Sequence, residues 1–451
     1  MQAGLKMIFS ATALCLATTP GWALDLKSGD TDYGDLELLV KAMSVLDAED
    51  NGYDPSEGTA YLLKAKYLSP QFNNFQVGMG LYGNGDLFGI TDFDLDPNTE
   101  RLARGMFVRD DGSTKFQLGE AYVTYDHDKF SLHGGLEMYK TPLTTITYST
   151  IPNFYTVFGG SITALPKTTL GLSQIVEMSF GARSMTDFGL IGEGTKSAGA
   201  AIKTSTIGQA KFHDISTATF GKNAPDTNGI TVFSAEYGGF KNVKLQLWDY
   251  YVDDIANNVY AEAGAVFPFK DKGMKLKLDG QLLYQSDTGS SYGGDLDFNL
   301  FGLKATLASK KWAVFGAYNN SGGDGAMLNA WGGDPAYTGT IFSRNAYREN
   351  VSAYKVGFKY KILKNLTFIT AYADYGQSDT AAPAKVLKVG SSGFVDPVTD
   401  ATELDLVLIY KPTKKSMLKM FYADRTSEYD GSGNGRELQQ KHLRFVASIG
   451  F

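Results

Sequence analysis

Four histidines, His127, His133, His213 and His442, bound the acid–base chemistry open to this chain. A serine hydrolase needs a histidine within reach of a hydroxyl and a third group to orient it. An aspartate-type protease pairs acids with a histidine. Asp126-His127-Asp128 is the local cluster of that composition, but it falls in a short polar run between two apolar segments and reads as a turn. Asp92, Asp94, Asp96, Asn98 and Glu100 alternate as oxygen ligands for calcium would. The helix–loop–helix calcium signature also wants Gly after the third acid and Glu at the twelfth position. Here those positions hold Pro97 and Ala103, so a solvated acidic loop is the simpler reading. The single cysteine, Cys15, leaves no thiol set for a metal. The glycines around Gly322 and Gly323 lack the strand-to-helix context of a phosphate loop. No catalytic residue, metal or cofactor is expected, and the chain is not read as an enzyme.

What the residues do specify is an all-β chain. Aromatics make up 13% of it and glycines number 51, which suits strands and tight turns. No segment after the N-terminus reaches the roughly 18 unbroken apolar residues of a membrane helix. The net charge of −7 disfavours a nucleic-acid partner. Residues 1–23 have the three-part layout of a secretory signal: Lys6, then an apolar run with Ile8, Phe9, Leu14 and Leu16, then Gly21-Trp22-Ala23. Residues 24–451 are then one domain.

That domain reads with a period of two. Leu276, Leu278 and Leu282 alternate with Lys275, Lys277, Asp279 and Gln281. Tyr354, Val356, Phe358, Tyr360 and Ile362 alternate with Lys355, Lys359 and Lys361. Leu404, Leu406, Leu408 and Tyr410 alternate with Glu403 and Asp405. A helix cannot segregate such sets, because i and i+2 lie on opposite sides of it. The clear segments run about 9–11 residues, the length of a tilted strand that crosses a bilayer. Their connections are short at one end and long at the other, the rhythm of an outer-membrane barrel. About 18 strands fit the length. The expectation is a transmembrane antiparallel β-barrel in the bacterial outer membrane, polar inside and apolar toward lipid.

Lys275 with Lys277, and Lys355 with Lys359 and Lys361, are predicted as two basic rows on the lumen wall. Arg444, Glu403 and Asp405 are expected to add charge of both signs there. Tyr67, Trp248, Tyr250, Tyr251, Phe267, Phe269, Trp312, Tyr410 and Tyr422 are candidates for the headgroup girdles. The closing strand places Leu443, Phe445, Ala447, Ile449 and Phe451 in one outward row. Phe451 is the expected signal for the barrel-insertion machinery.

Three segments carry a family resemblance. The first holds Leu118-Gly119-Glu120-Ala121-Tyr122, Thr141-Pro142-Leu143, Ile151-Pro152-Asn153 and Phe158-Gly159-Gly160. The second holds Leu247-Trp248-Asp249-Tyr250. The third holds Trp331-Gly332-Gly333-Asp334-Pro335-Ala336 with Arg344-Asn345 and Tyr347. With Thr402-Glu403-Leu404-Asp405-Leu406, these make the chain resemble the OprD family of outer-membrane porins, in the variety seen in Campylobacter-like bacteria. The resemblance runs from about residue 36 to 451. It implies an 18-stranded barrel that passes small water-soluble solutes, often carboxylates or amino acids, by passive diffusion. It also implies a loop folded into the barrel over residues 139–158, with Lys140, Tyr148 and Tyr155 at the constriction. Relatives commonly carry Arg where this chain has Leu136 and Ser149. Lys140 is the only charge within 139–158, so weak charge selectivity is expected there. Membrane lipid, small solutes and the insertion machinery are the expected partners, and a homotrimer is compatible with the sequence. The competing reading is a surface structural or adhesive barrel whose long loops are the working part.

Overall fold

The computed structural model describes residues 23–28, 31–49, 56–89, 91, 106–109, 111–144, 150–179, 181–182, 210–220, 224–269, 273–328, 331–341, 343, 345–378, 398–429 and 436–451. Eighteen antiparallel strands form a closed barrel. Closure comes from the pairing of Thr31–Glu49 with Arg436–Gly450, from Leu39↔Gly450 to Glu49↔Gln440. The ring leaves no free edge, which a sheet in lipid requires because no water is there to satisfy one. Two further strands lie outside the ring: His213–Asp214, paired with Glu177 and Met178, and the N-terminal strand Ala23–Ser28. The latter folds back on Thr31–Glu49, with Ala23 opposite Glu37, and so continues that strand's edge beyond the C-terminus. The proposed signal falls, but for Ala23, outside the described residues.

The alternation sorts as the sequence predicts. Val356 is 59% exposed on the outer wall and its neighbour Lys355 2% exposed inside. Exposed leucines, phenylalanines and tyrosines cover the outside, an apolar band that lipid would cover. Phe267, Phe269 and Tyr410 stand outward near the short-turn end, as girdle residues would. Trp248 and Tyr250 do not. Their strand, Val243–Val252, turns its even positions inward, so both rings stack inside the wall with centroids 6.2 Å apart. The hydroxyl of Tyr250 accepts from the Leu143 amide at 3.4 Å.

Short turns gather at one end with Phe451, and long connections at the other. One connection at the long-loop end, residues 253–255, is only three residues. The described parts of the long loops bury apolar residues inside the barrel. One cluster joins Leu143, Ile215, Phe220, Trp331 and Tyr347 to wall residues such as Tyr260 and Leu283. A second sets Met106 and Phe107 against Met43 and Val45. The core of this molecule is thus the inside of its own barrel. Among the described residues no helix is long and apolar enough to cross a membrane.

Candidate pore constriction

Three connections meet inside the barrel. The first, residues 138–153, follows the strand Phe130–Glu137 and precedes Phe154–Ile162. The second includes the short helix Ile215–Phe220, which Asp214 caps by accepting from the Thr217 amide at 2.8 Å. The third, residues 324–351, joins Trp312–Gly323 to Ser352–Leu363.

Trp331 ties them together. Its carbonyl accepts from the Tyr155 hydroxyl and from the Asn153 side-chain amide. Its indole N–H donates to Thr219 Oγ1 on the short helix at 3.1 Å. Thr144 forms a bridge with Gly332. Gly332 takes φ +132°, and a Cβ on Gly333 would meet the Pro142 carbonyl oxygen at 2.0 Å. Two glycines after the tryptophan let the backbones of two loops touch.

The third loop is also fixed to the wall. The Tyr337 amide donates to Gln281 Oε1 at 3.1 Å, and the Thr338 amide to Asn319 Oδ1 at 2.9 Å. Glu403, fully buried, accepts from Thr340 Oγ1 at 2.6 Å and from the Ser343 amide at 2.7 Å. Asp405 accepts from the Ile341 amide at 3.2 Å, and Lys355 donates to the Gly339 carbonyl. Hydrogen bonds take the place of water for Glu403 and Lys355, whereas Asp405 keeps one buried oxygen, Oδ1, without a hydrogen bond. Glu403, Asp405 and Lys355 therefore face inward but serve as the seat of a loop.

Three further lumen lysines are set against opposite charge. Lys64 meets Glu37 at 2.9 Å, Lys66 meets Glu120 at 2.5 Å, and Lys277 meets Asp279 at 2.9 Å. Lys359 is half-buried on the inner face. Lys275 and Lys361 are exposed near the short-turn end of their strands, at the mouth of the barrel. Arg444 is half-buried inside, and its Nε donates to His442 Nε2 at 3.1 Å. The predicted basic rows are thus interrupted: Asp279 answers one, and the other runs from a loop anchor to an exposed rim.

Lys140 remains exposed inside the barrel and interacts with the charges of Lys64, Glu120, Lys66 and Glu37. Tyr155 lies in the constriction but is fully buried, with its hydroxyl spent on Trp331, so it anchors loops and cannot present that hydroxyl to a solute. Tyr148 lies outside the described residues, as does the acidic loop 92–100. Among the described residues no group of three or more His, Cys, Asp or Glu could hold a metal ion. Phe451 continues the closing ladder, its amide donating to the Leu38 carbonyl at 2.9 Å, and its ring stands on the outer face.

Sequence reasoning passed over the third loop as a constriction element. The signal was present in Trp331-Gly332-Gly333, since paired glycines beside a tryptophan mark close backbone approach. It also passed over the contacts of His133 with Glu137 and with Ser173, because Ser173 lies two strands away around the barrel.

Fold and site together define a transmembrane barrel of the porin class, with loops folded into its bore. The family model described as outer membrane porin, OprD family, matches residues 195–389. That stretch includes the second and third segments that carry the resemblance, while residues 118–160 lie outside it. Among solved structures, the chain is similar to Acinetobacter baumannii OccAB3 (16% identity, TM-score 0.69, 92% of this chain and 99% of that chain covered). It is similar also to Pseudomonas aeruginosa OccK9 (OpdG) (15% identity, TM-score 0.69, 92% and 98%) and to Pseudomonas aeruginosa OpdK with vanillate (15%, 0.68, 92% and 99%). At these identities the likeness is one of fold. None of the curated proteins compared matches the sequence. The resemblance to the OprD family is borne out: the chain is a bacterial outer-membrane porin for passive diffusion of small hydrophilic solutes.

Proposed function

We propose that solutes pass between Lys140 and the wall bearing Lys64, Lys66, Glu37 and Glu120, in a bore narrowed by residues 138–153 and 324–351 together. The observation that carries this is the exposure of Lys140 inside the barrel, beside charged groups of the facing wall. The bore works without catalysis: it supplies a wet path and a bias of charge. Three bases of that gap, Lys64, Lys66 and Lys140, stand against two acids, Glu37 and Glu120, which favours small anions weakly and tolerates neutral solutes. One similar barrel was solved with vanillate, so a small aromatic carboxylate is a sensible first solute. Residues 1–23 are proposed to be removed on export, and the insertion machinery to read Phe451. A homotrimer is consistent with the fold.

Reversal potential across a planar bilayer in a salt gradient tests the gap. Lys140→Glu should move it toward cations without loss of barrel. An unchanged potential in the folded variant would place the solute path elsewhere.

A further inference from the structure

The short-turn end of the barrel carries charge of one sign. Five turns there, 163–167, 238–242, 309–311, 364–365 and 411–415, hold eight lysines and no acid. All eight are exposed. Three of the turns are neighbours around the ring. The Lys361 amide donates to the Lys311 carbonyl at 2.7 Å, and the Lys411 amide donates to the Asn365 carbonyl at 2.9 Å. Turns 309–311, 364–365 and 411–415 therefore form one arc, and six of the eight lysines lie on it. Inside the barrel, Lys64, Lys66 and Lys277 have carboxylates of the chain itself. Among the described residues no carboxylate pairs with Lys310, Lys311, Lys364 or Lys411 on the arc. Like charges held this close repel, and a counter-charge from outside the chain relieves them.

The same arc carries apolar groups on its outer side. Leu363 precedes Lys364 and is 58% exposed; Tyr410, also exposed, precedes Lys411. Trp312 follows Lys311 and is the register partner of Tyr360. These two rings end the outward rows that run through Val314 and Phe358. Tryptophan and tyrosine rings settle at the headgroup level of a bilayer. That fixes the depth of the arc. Its lysines begin one residue beyond Trp312, Leu363 and Tyr410, at the level of the phosphates, and their stems reach along the apolar surface while the ammonium stays in water. Outer-membrane barrels turn their short connections to the periplasm, so the leaflet in question is the periplasmic one. One occupant answers both the charges and the apolar groups: an amphiphile with an anionic head.

We propose that this arc is a binding site for anionic phospholipid of the periplasmic leaflet. Lys310, Lys311, Lys364 and Lys411 hold the phosphodiester, and Trp312, Tyr360, Leu363 and Tyr410 flank the upper part of the chains. A zwitterionic headgroup brings its own cation and answers the arc less well. Each lysine near an anionic head adds about fivefold in affinity.

Native mass spectrometry of the purified full chain in neutral detergent reads the retained lipid. Phosphatidylglycerol and phosphatidylethanolamine with the same chains are added at equal concentration. Phosphatidylglycerol should be retained at least about tenfold better. A variant combining Lys310→Gln, Lys311→Gln, Lys364→Gln and Lys411→Gln should lose that preference and keep its retention of phosphatidylethanolamine, with heat-modifiable mobility reporting the folded barrel. Lys129→Gln, in the turn that also holds Asp128, should keep the preference; its loss there would spread the effect over the whole rim and deny the site. If the combined variant does not fold, the wild type decides: glycerol 3-phosphate, a phosphate head without chains, should not displace phosphatidylglycerol even in large excess. Equal retention of the two lipids by the wild type, or displacement by glycerol 3-phosphate, overturns the proposal. So does an undiminished preference in the folded combined variant, which, with loss of polyglutamate binding, would assign the arc to a soluble acidic partner instead.

Discussion

Two lysines on one strand show what can be read from residues alone. Lys355 and Lys359 share a face by alternation, and both face inward. Alternation says nothing of what waits inside. Lys355 is bonded to the Gly339 carbonyl under the loop that precedes its strand, whereas Lys359 remains half-buried below that loop. Tyr155 is the same case: its place in the constriction follows from its neighbours in sequence, its bond to Trp331, 176 residues away, does not. Phe451 is the residue whose role is most local. Its backbone completes the closing ladder and its ring lies in the outward row with Phe445 and Ile449. Deletion of Phe451 should leave the chain in the periplasm. Heat-modifiable mobility of outer-membrane fractions checks this, and normal amounts of folded barrel from the deletion would contradict the assigned signal.

Strands were legible because their signal is short-ranged: two residues suffice to assign a face. Their ends were less so. Phe154–Ile162 starts four residues ahead of Phe158, and its register shifts between Thr156 and Val157. At these ends the backbone goes on pairing after the apolar alternation has lapsed, as when Phe154, an outward-lapsed position, packs inside against Tyr82. Loops were the least legible elements, since their apolar residues meet partners on distant strands. The loop 324–351 is seated on Glu403 and Asp405, so its position is sensitive to one buried carboxylate. Breaking such a buried set typically costs roughly 3–5 kcal/mol. Glu403→Ala should therefore leave the barrel in the membrane but loosen the loop, with larger and noisier single-channel currents. Quiet currents of wild-type size would show that the seat is dispensable.

For the molecule as a whole, the ring of eighteen strands accounts for the outer wall, and the loops account for the inside. Alternation and chain length together reach the strand number, because each strand with its connection takes a nearly fixed share of the chain. They do not reach how much of the bore is filled. That filling separates an open tube from a selective one, and it rests on three loops locked through Trp331, Asn153 and Thr144.

Trimming the first loop between its two anchors, Thr144 and Thr150, keeps the contacts that hold the other loops. Single-channel conductance in planar bilayers, compared between the wild type and a chain lacking residues 145–149, is therefore the most direct measurement. Discrete channels in the wild type and severalfold larger ones in the trimmed chain are expected. Absence of channels, or channels of equal size in both, would contradict a bore narrowed by its own inward loops.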